Sequence, residues 1–362
     1  MPDDRVEENV MDDTVATSGQ RFRSGLVRSI AHWLADDAGR LPFEGRLASF
    51  EGATGWLNST ALTREALQGR VVLVDFWTYT CVNWIRTLPY LRAWAAKYGN
   101  AGLTIVGVHT PEFGFEHDLD NVATQARNLG VEYPVAIDNG YRVWGAFDNH
   151  FWPAVYIADA QGLIRHHHFG EGEYAQTEMV IQRLLLDAGA ESIDQDLVTV
   201  EPRGLEVAAD WQTLRSPETY LGYGRSSGFA SEAVGAVDRS HEYAAASSLS
   251  LNSWDLSGTW TVARHAVASD APGARIAFRF HSRDVNLVMG PQDPRAVIPF
   301  QVTLDGLPVD GAGGSDVDAT GRGLVQDQNT YQLIRQSGEI TDRVFEIEFL
   351  ESGAEAYCFT FG

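Results

Sequence analysis

The run Val71-Val72-Leu73-Val74-Asp75-Phe76-Trp77 is apolar at all but one position and predicts a buried strand. A short polar loop follows. From Cys81 the pattern switches to an amphipathic helix that runs through Ala95-Ala96-Lys97-Tyr98 and is ended by Gly99-Asn100. Beyond it the spacing predicts a β-rich run over residues 103–109, a helix over 116–129 stopped by Gly130, a short apolar strand over 134–137 and a one- or two-turn helix over 141–147. Residues 154–158, a turn at Asp159-Ala160-Gln161-Gly162 and residues 163–169 read as a β-hairpin, and a last helix covers 175–188. Upstream, residues 41–69 form a lead-in with turn signals at Glu51-Gly52 and Thr54-Gly55 and a helix start near Thr63. Strands and helices in this order predict an α/β sandwich with helices on both faces of a mixed sheet.

The texture changes between residues 189 and 202, an acidic stretch that reads as a linker. Past it, helical periodicity is scarce. Alternating runs such as Arg275-Ile276-Ala277-Phe278-Arg279-Phe280, Phe300-Gln301-Val302-Thr303-Leu304 and Val344-Phe345-Glu346-Ile347-Glu348-Phe349 are separated by Gly, Pro and Asp turns and predict an antiparallel β-sandwich. The chain divides into an acidic disordered tail over 1–20, an α/β domain with its lead-in over 21–190, a linker over 191–204 and an all-β sandwich over 205–362.

Composition narrows the function classes. With 27 basic against 49 acidic residues the net charge is −22, so the mean field repels phosphate backbones and anionic lipid surfaces, and no nucleic-acid partner is expected. Two cysteines in 362 residues build neither a disulfide framework nor a metal knuckle, which fits a reducing compartment. No apolar stretch reaches signal-peptide or membrane-spanning length, so the expected location is cytoplasmic. Residues 26–35 have the pattern of a small amphipathic helix; the surrounding negative charge favours its packing on the first domain over a membrane surface.

Five stretches together resemble the soluble C-terminal portion of DipZ-type proteins. They are Asp75-Phe76-Trp77-Thr78-Tyr79-Thr80-Cys81, Gly107-Val108-His109-Thr110-Pro111-Glu112-Phe113, His167-His168-Phe169-Gly170-Glu171-Gly172-Glu173-Tyr174, Tyr331-Gln332-Leu333-Ile334-Arg335-Gln336 and Ala356-Tyr357-Cys358-Phe359-Thr360-Phe361-Gly362. The resemblance runs from about Leu41 to the end of the chain. It implies a thioredoxin-like (redoxin, TlpA-like) domain followed by a jelly-roll sandwich similar to a carbohydrate-binding module. Two features depart from the family pattern: the chain starts at Met1 with no membrane electron-transfer portion, and the family's Cys-x-x-Cys is here Cys81-Val82-Asn83-Trp84.

Cys81 is accordingly the candidate nucleophile. Unpaired amides and the positive end of the helix dipole at a helix start favour the thiolate, which lowers such thiols from about 8.5 into the range of about 3.5 to 7.5. In a dithiol enzyme the second cysteine releases product from the mixed disulfide, a step Trp84 cannot perform. Three readings follow: thiol-disulfide exchange through one activated cysteine resolved by an external thiol; a one-cysteine thiol peroxidase; and a non-catalytic binding or scaffold protein. The peroxidase reading uses Thr78, three residues before Cys81 as in peroxiredoxins, with Arg86 steadying the thiolate, although an arginine there is more often a solvated surface charge.

By the same resemblance Trp152-Pro153 forms a cis-proline ledge that binds substrate beside the thiol, in company with Thr80. Trp77, Tyr79, Trp84 and Trp152 form an aromatic rim or, in the plainer version, Trp77 is core and Trp84 fills the space of a missing cysteine. His166 and His168 share a strand face, but with no third ligand evident no metal site is assigned, and no cofactor is expected. Asp75 and Glu112 are minor candidates as proton handlers, Asp75 reading more simply as a capping or solvent-facing residue. His109 reads as structural, and Cys358 as a small core residue of a last strand, its resolving role improbable across a domain boundary. In the sandwich, Trp211, Tyr220, Tyr223, Trp254, Trp260 and Tyr331 are available to stack on a carbohydrate, with most expected in the core and protein docking equally open. The expected partners are a disulfide- or peroxide-bearing substrate and an external thiol reductant.

Overall fold

The computed structural model describes residues 41–231 and 236–362; the tail expected over 1–20 and the amphipathic segment over 26–35 lie outside the described residues. The apolar run becomes strand β3 (Val71–Trp77), buried along its whole length, after β1 (Gly45–Arg46) and β2 (Gly55–Leu57). Helix α1 (Val82–Tyr98), β4 (Leu103–His109), α2 (Leu119–Asn128), β5 (Val135–Ile137), α3 (Arg142–Ala146), β6 (Ala154–Ala158), β7 (Leu163–Phe169) and α4 (Tyr174–Asp187) follow. The seven strands form one mixed sheet in the order β1-β7-β6-β3-β4-β5-β2, with β3 parallel to β4 and antiparallel to β6. Period-two alternation sends Val72, Val74 and Phe76 to one face, where they meet Val143 of α3 and Leu47, Phe50 and Leu67 of the lead-in. Asp75 and Trp77 point to the other face, against Trp84 of α1.

Three expectations change. The lead-in contributes β1 and β2, one on each edge of the sheet, which its turn signals did not reveal. No regular helix starts at Thr63: residues 63–68 close successive turns, with Thr63 Oγ1 accepting from the Ala66 amide. The helix expected over 116–129 begins at Leu119, because the Asp118 carboxylate accepts from the Asp120 and Asn121 amides and fixes the start there, after a short 3-10 turn over Gly114–His117.

The second half is a β-sandwich built from β8 (Thr219–Tyr220), β9 (Ser240–Tyr243), β10 (Trp254–Val262), β11 (Val267–Ser269), β12 (Ala274–Phe280), β13 (Asp284–Pro291), β14 (Ile298–Leu304), β15 (Arg322–Val325), β16 (Asn329–Arg335), β17 (Arg343–Phe349) and β18 (Ala354–Phe361). One sheet runs β15-β14-β17-β12-β10 and the other β10-β11-β18-β13-β16, with β8 on β18 and β9 on β10. Strand β10 belongs to both. Its residues up to Ser257 pair with β12 and those from Gly258 on pair with β9 and β11. Gly258, with φ of 88°, makes this corner, and a Cβ there would stand 3.1 Å from the Ala274 Cα. Inward residues of both sheets, among them Trp254, Trp260, Phe278, Phe300, Phe345 and Phe359, fill one core.

The outer face of the β16-β13-β18-β8 sheet is seated on the first half of the chain. Thr330 Oγ1 donates to the Thr80 carbonyl (2.7 Å), Tyr220 donates to Glu112 (2.6 Å), Asn121 to Gln328 (3.2 Å) and Arg86 to the Phe361 carbonyl (3.2 Å). Tyr357 packs its ring on Phe113 and Phe115. The end of the first domain that carries Cys81 is thus covered by the second.

Gly258→Ala places a side chain in the left-handed region and in tight contact with β12. We expect a loss of about 1–3 kcal/mol of unfolding free energy in urea titrations; an unchanged midpoint would show that the corner does not depend on glycine.

Candidate functional site

Strand β3 ends at Trp77, the buried loop Thr78-Tyr79-Thr80 turns the chain, and Cys81 is the N-cap of α1. The Trp152–Pro153 peptide bond is cis. Because Ala154 pairs with Phe76, Pro153 lies at the same end of the sheet as the cysteine. Cys81 keeps some exposed surface but is crowded by protein. Its thiol makes no short capping hydrogen bond. Burial pushes the thiol well above its ordinary value, the Trp84 and Asn83 amides favour the ionised form, and the Glu218 and Glu112 charges oppose it. The expected lowered pKa is therefore corrected: the helix start is where the sequence places it, and burial together with two carboxylates outweighs it.

Trp84 fills the space one turn into α1. Its indole is fully buried, stacks on Trp77 with centroids 4.2 Å apart, and donates from Nε1 to Asp75 Oδ2 at 2.8 Å. Asp75 neither caps nor faces solvent. It is buried, and desolvation raises its pKa to about 7. Trp77 makes an edge contact with His109, which lies between Trp77 and Tyr79 and is pushed by burial to about 3, so it stays neutral. Trp77, Tyr79 and Trp84 are core, not a rim. Trp152 is half-buried, packs at a tilt against Trp144, and donates to the Thr110 carbonyl.

Thr78 and Arg86 do not converge on the thiol. Thr78 is buried beside Glu116, whose carboxylate accepts from Thr80 Oγ1 (2.6 Å) and from the Glu112 and Phe113 amides (2.7 and 2.9 Å). Burial raises Glu116 to about 7. Thr80 is occupied at both ends, its hydroxyl by Glu116 and its carbonyl by Thr330, so it is unavailable to a substrate through those groups. Arg86 is neither a thiolate partner nor a solvated charge: it is buried, pairs with Glu171 at 2.9 Å and donates to Phe361 O. It is a tie between helix and sandwich.

Residues that sequence reasoning missed come mostly from the second half. Tyr220 Oη contacts Glu112 (2.6 Å) and Glu218 (3.0 Å), while Arg225 pairs with Glu112 at 2.8 Å and lies over the Tyr220 ring. These partners are more than a hundred positions from Glu112, and no local spacing announces such a pairing. Cys358 is buried but absent from the sandwich core cluster that holds Ala356 and Phe359 on either side of it. Its expected burial holds, and a bulge opposite Val288 and Met289 shifts the alternation and sets Cys358 on the face toward the first domain.

The remaining candidates are occupied elsewhere. His167 pairs with Glu44 and His168 with Glu173, while His166 is buried and pushed down to about 4. Of the sandwich aromatics, Trp254, Trp260 and Tyr331 are buried and Tyr220 serves the interface, leaving Trp211 and Tyr223 exposed.

Residues 216–362 match the family model described as a thioredoxin like C-terminal domain. The chain is 37% identical to Protein DipZ of Mycobacterium tuberculosis over 283 residues, 76% of this chain and 40% of that protein. It therefore spans well under half the length of that relative. It is 28% identical over 137 residues to the thiol-disulfide oxidoreductase YkuV of Bacillus subtilis, 38% of this chain and 91% of that protein. A solved thioredoxin-like protein in its oxidised form shares 27% identity, covering 40% of this chain and 96% of its own, with a TM-score of 0.37. The chain is similar to DipZ over those 283 residues and contains a thioredoxin-like domain.

Two outcomes follow from the buried charges. Glu171→Ala leaves the Arg86 guanidinium buried without its counter-ion, and denaturant titration should show a loss of about 3–5 kcal/mol; a loss below about 1 kcal/mol, as for an exposed pair, would contradict this placement. Asp75 has a folded-state pKa raised from 3.8 to about 7, so the folded chain binds more protons than the unfolded one between those values and loses stability as pH rises. Asp75→Asn lacks that loss. Its stability relative to the parent should grow by roughly 1 kcal/mol per unit between pH 5 and 7, a difference in which the opposing terms of His109 and His166 cancel.

Proposed function

We propose that this chain is a thioredoxin-like thiol-disulfide oxidoreductase in which Cys81 alone supplies the attacking sulfur. The observation that carries the reading is the position of Cys81 at the N-cap of α1, with the Trp84 and Asn83 amides favouring its ionised form and the Trp152–Pro153 turn at the same sheet end. The similarity to the thiol-disulfide oxidoreductase YkuV supports the reaction class.

The Cys81 thiolate attacks one sulfur of a substrate disulfide, a mixed disulfide forms, and the other sulfur leaves as a thiolate that takes a proton. Trp84 provides no second sulfur on the helix. The mixed disulfide is opened by a thiol from elsewhere, and an external thiol supplies the electrons that return the chain to its reduced form. We place this chemistry in the cytoplasm, where two free cysteines persist as thiols. The peroxidase reading has less support because Arg86 is paired with Glu171 and the Phe361 carbonyl. The scaffold reading draws on the raised thiol and is separated by the same experiment.

Reaction of the folded chain with iodoacetamide should modify Cys81 at a rate that climbs about tenfold per pH unit from pH 6 to 9 without a plateau, as the thiolate fraction of a raised thiol does. Cys81→Ser should lose both this reaction and the reduction of a small disulfide. A Cys81 still inert at pH 9 would overturn the redox reading in favour of the scaffold.

A further inference from the structure

The two cysteines are 277 positions apart in sequence, yet the register of the sandwich brings them to one interface. Val288 of β13 is the partner of Thr330 on β16 and of Cys358 on β18, and Cys358 is the partner of Tyr220 on β8. Thr330, Val288, Cys358 and Tyr220 are therefore one row across the sheet, and directly opposed residues of antiparallel strands present their side chains on the same face. Both ends of that row reach the thioredoxin-like half: Thr330 donates to the carbonyl of Thr80, the residue before Cys81, and Tyr220 donates to Glu112. Cys358 sits between these anchors, one strand from Tyr220 and two from Thr330, at about 4.8 Å per strand. Both thiols also feel the same two carboxylates, Glu112 and Glu218.

We propose that Cys81 and Cys358 are a redox pair across the domain interface, and that Cys358 is the thiol that opens the mixed disulfide on Cys81. The inference rests on Cys81 being the attacking sulfur and adds the resolving one. The oxidant is the substrate disulfide. After Cys81 has attacked it and the first substrate thiolate has left, Cys358 gives up its proton and attacks the Cys81 Sγ. The bond between Cys81 and the substrate breaks, the second substrate sulfur leaves and is protonated, and a Cys81–Cys358 disulfide remains. One substrate disulfide becomes two thiols, two protein thiols become one disulfide, and two electrons pass. An external thiol then reduces the protein disulfide and closes the cycle. The structure holds the reduced state, with both cysteines free.

This arrangement gives a role to the departure at position 84. A sulfur at the usual place, one turn into the helix, would point into the space where Trp84 stacks on Trp77 and bonds Asp75. The second thiol comes instead from the sheet that covers the site.

The test incubates the reduced full chain with oxidised glutathione, quenches with an alkylating agent and reads intact mass and peptide maps. The parent should lose both free thiols, drop by two hydrogens as a monomer and yield a cross-linked peptide holding Cys81 and Cys358. Cys358→Ala, and Cys358→Ser as a second variant, should instead retain glutathione on Cys81 at a level at least about tenfold above the parent, since an internal thiol at high effective concentration outruns an external one. Stable glutathione on Cys81 of the parent, with Cys358 alkylated after unfolding, would overturn the pair while leaving Cys81 as the attacking thiol. A disulfide between two chains would also overturn it. A Cys81 unmodified in parent and variants alike would overturn the pair and the exchange reading together.

Discussion

The polar face of the β16-β13-β18-β8 sheet lies on the cysteine-bearing end of the thioredoxin-like half, and the contact of Thr330 with the Thr80 carbonyl fixes where. That seat decides the electrostatics of Cys81. The start of a helix favours an anion by about 0.3–1 kcal/mol at an exposed site. Enclosing an unpaired charge costs several kcal/mol, and Glu112 and Glu218 add repulsion of the same sign. Burial wins, and the thiol stays protonated where an uncovered helix start would ionise it. The buried Arg86–Glu171 pair holds the cover in place from the other side, through Phe361 of the last strand.

Trp84 and Asp75 show how the first domain packs a large aromatic one turn into α1 beside a buried carboxylate. An indole is far larger than a thiol, yet it packs by stacking on Trp77 and satisfies its single donor on a carboxylate that burial alone would leave poorly solvated. The indole occupies Oδ2 of that carboxylate, and the charged groups that Cys81 feels are Glu112 and Glu218 at the interface.

The strong patterns were legible in sequence because they are local. Strand β3, helix α1, the β6–β7 hairpin and the alternating strands β12, β14 and β17 announce themselves by period and by turn residues, and the N-cap position of Cys81 follows from them. Strands β1 and β2 escaped because two- and three-residue edge strands have no period to detect. Asp75 was misread because alternation names a face but not what covers it, and Arg86 because a buried arginine is recognisable only by its partners at positions 171 and 361. The burial of Cys358 was legible from its strand, but the face it takes was not. Its outward turn comes from a bulge, and the row it joins comes from pairings between distant strands.

Covering a thiol with a sheet from the same chain also limits what reaches it. Cys81 keeps some exposed surface, and parting the two halves would break the Thr330–Thr80, Tyr220–Glu112 and Arg86–Phe361 hydrogen bonds at once. The same enclosure keeps a mixed disulfide away from solvent thiols. An internal sulfur facing the interface then has the advantage over glutathione in releasing it, so the cover that suppresses the first attack favours the second.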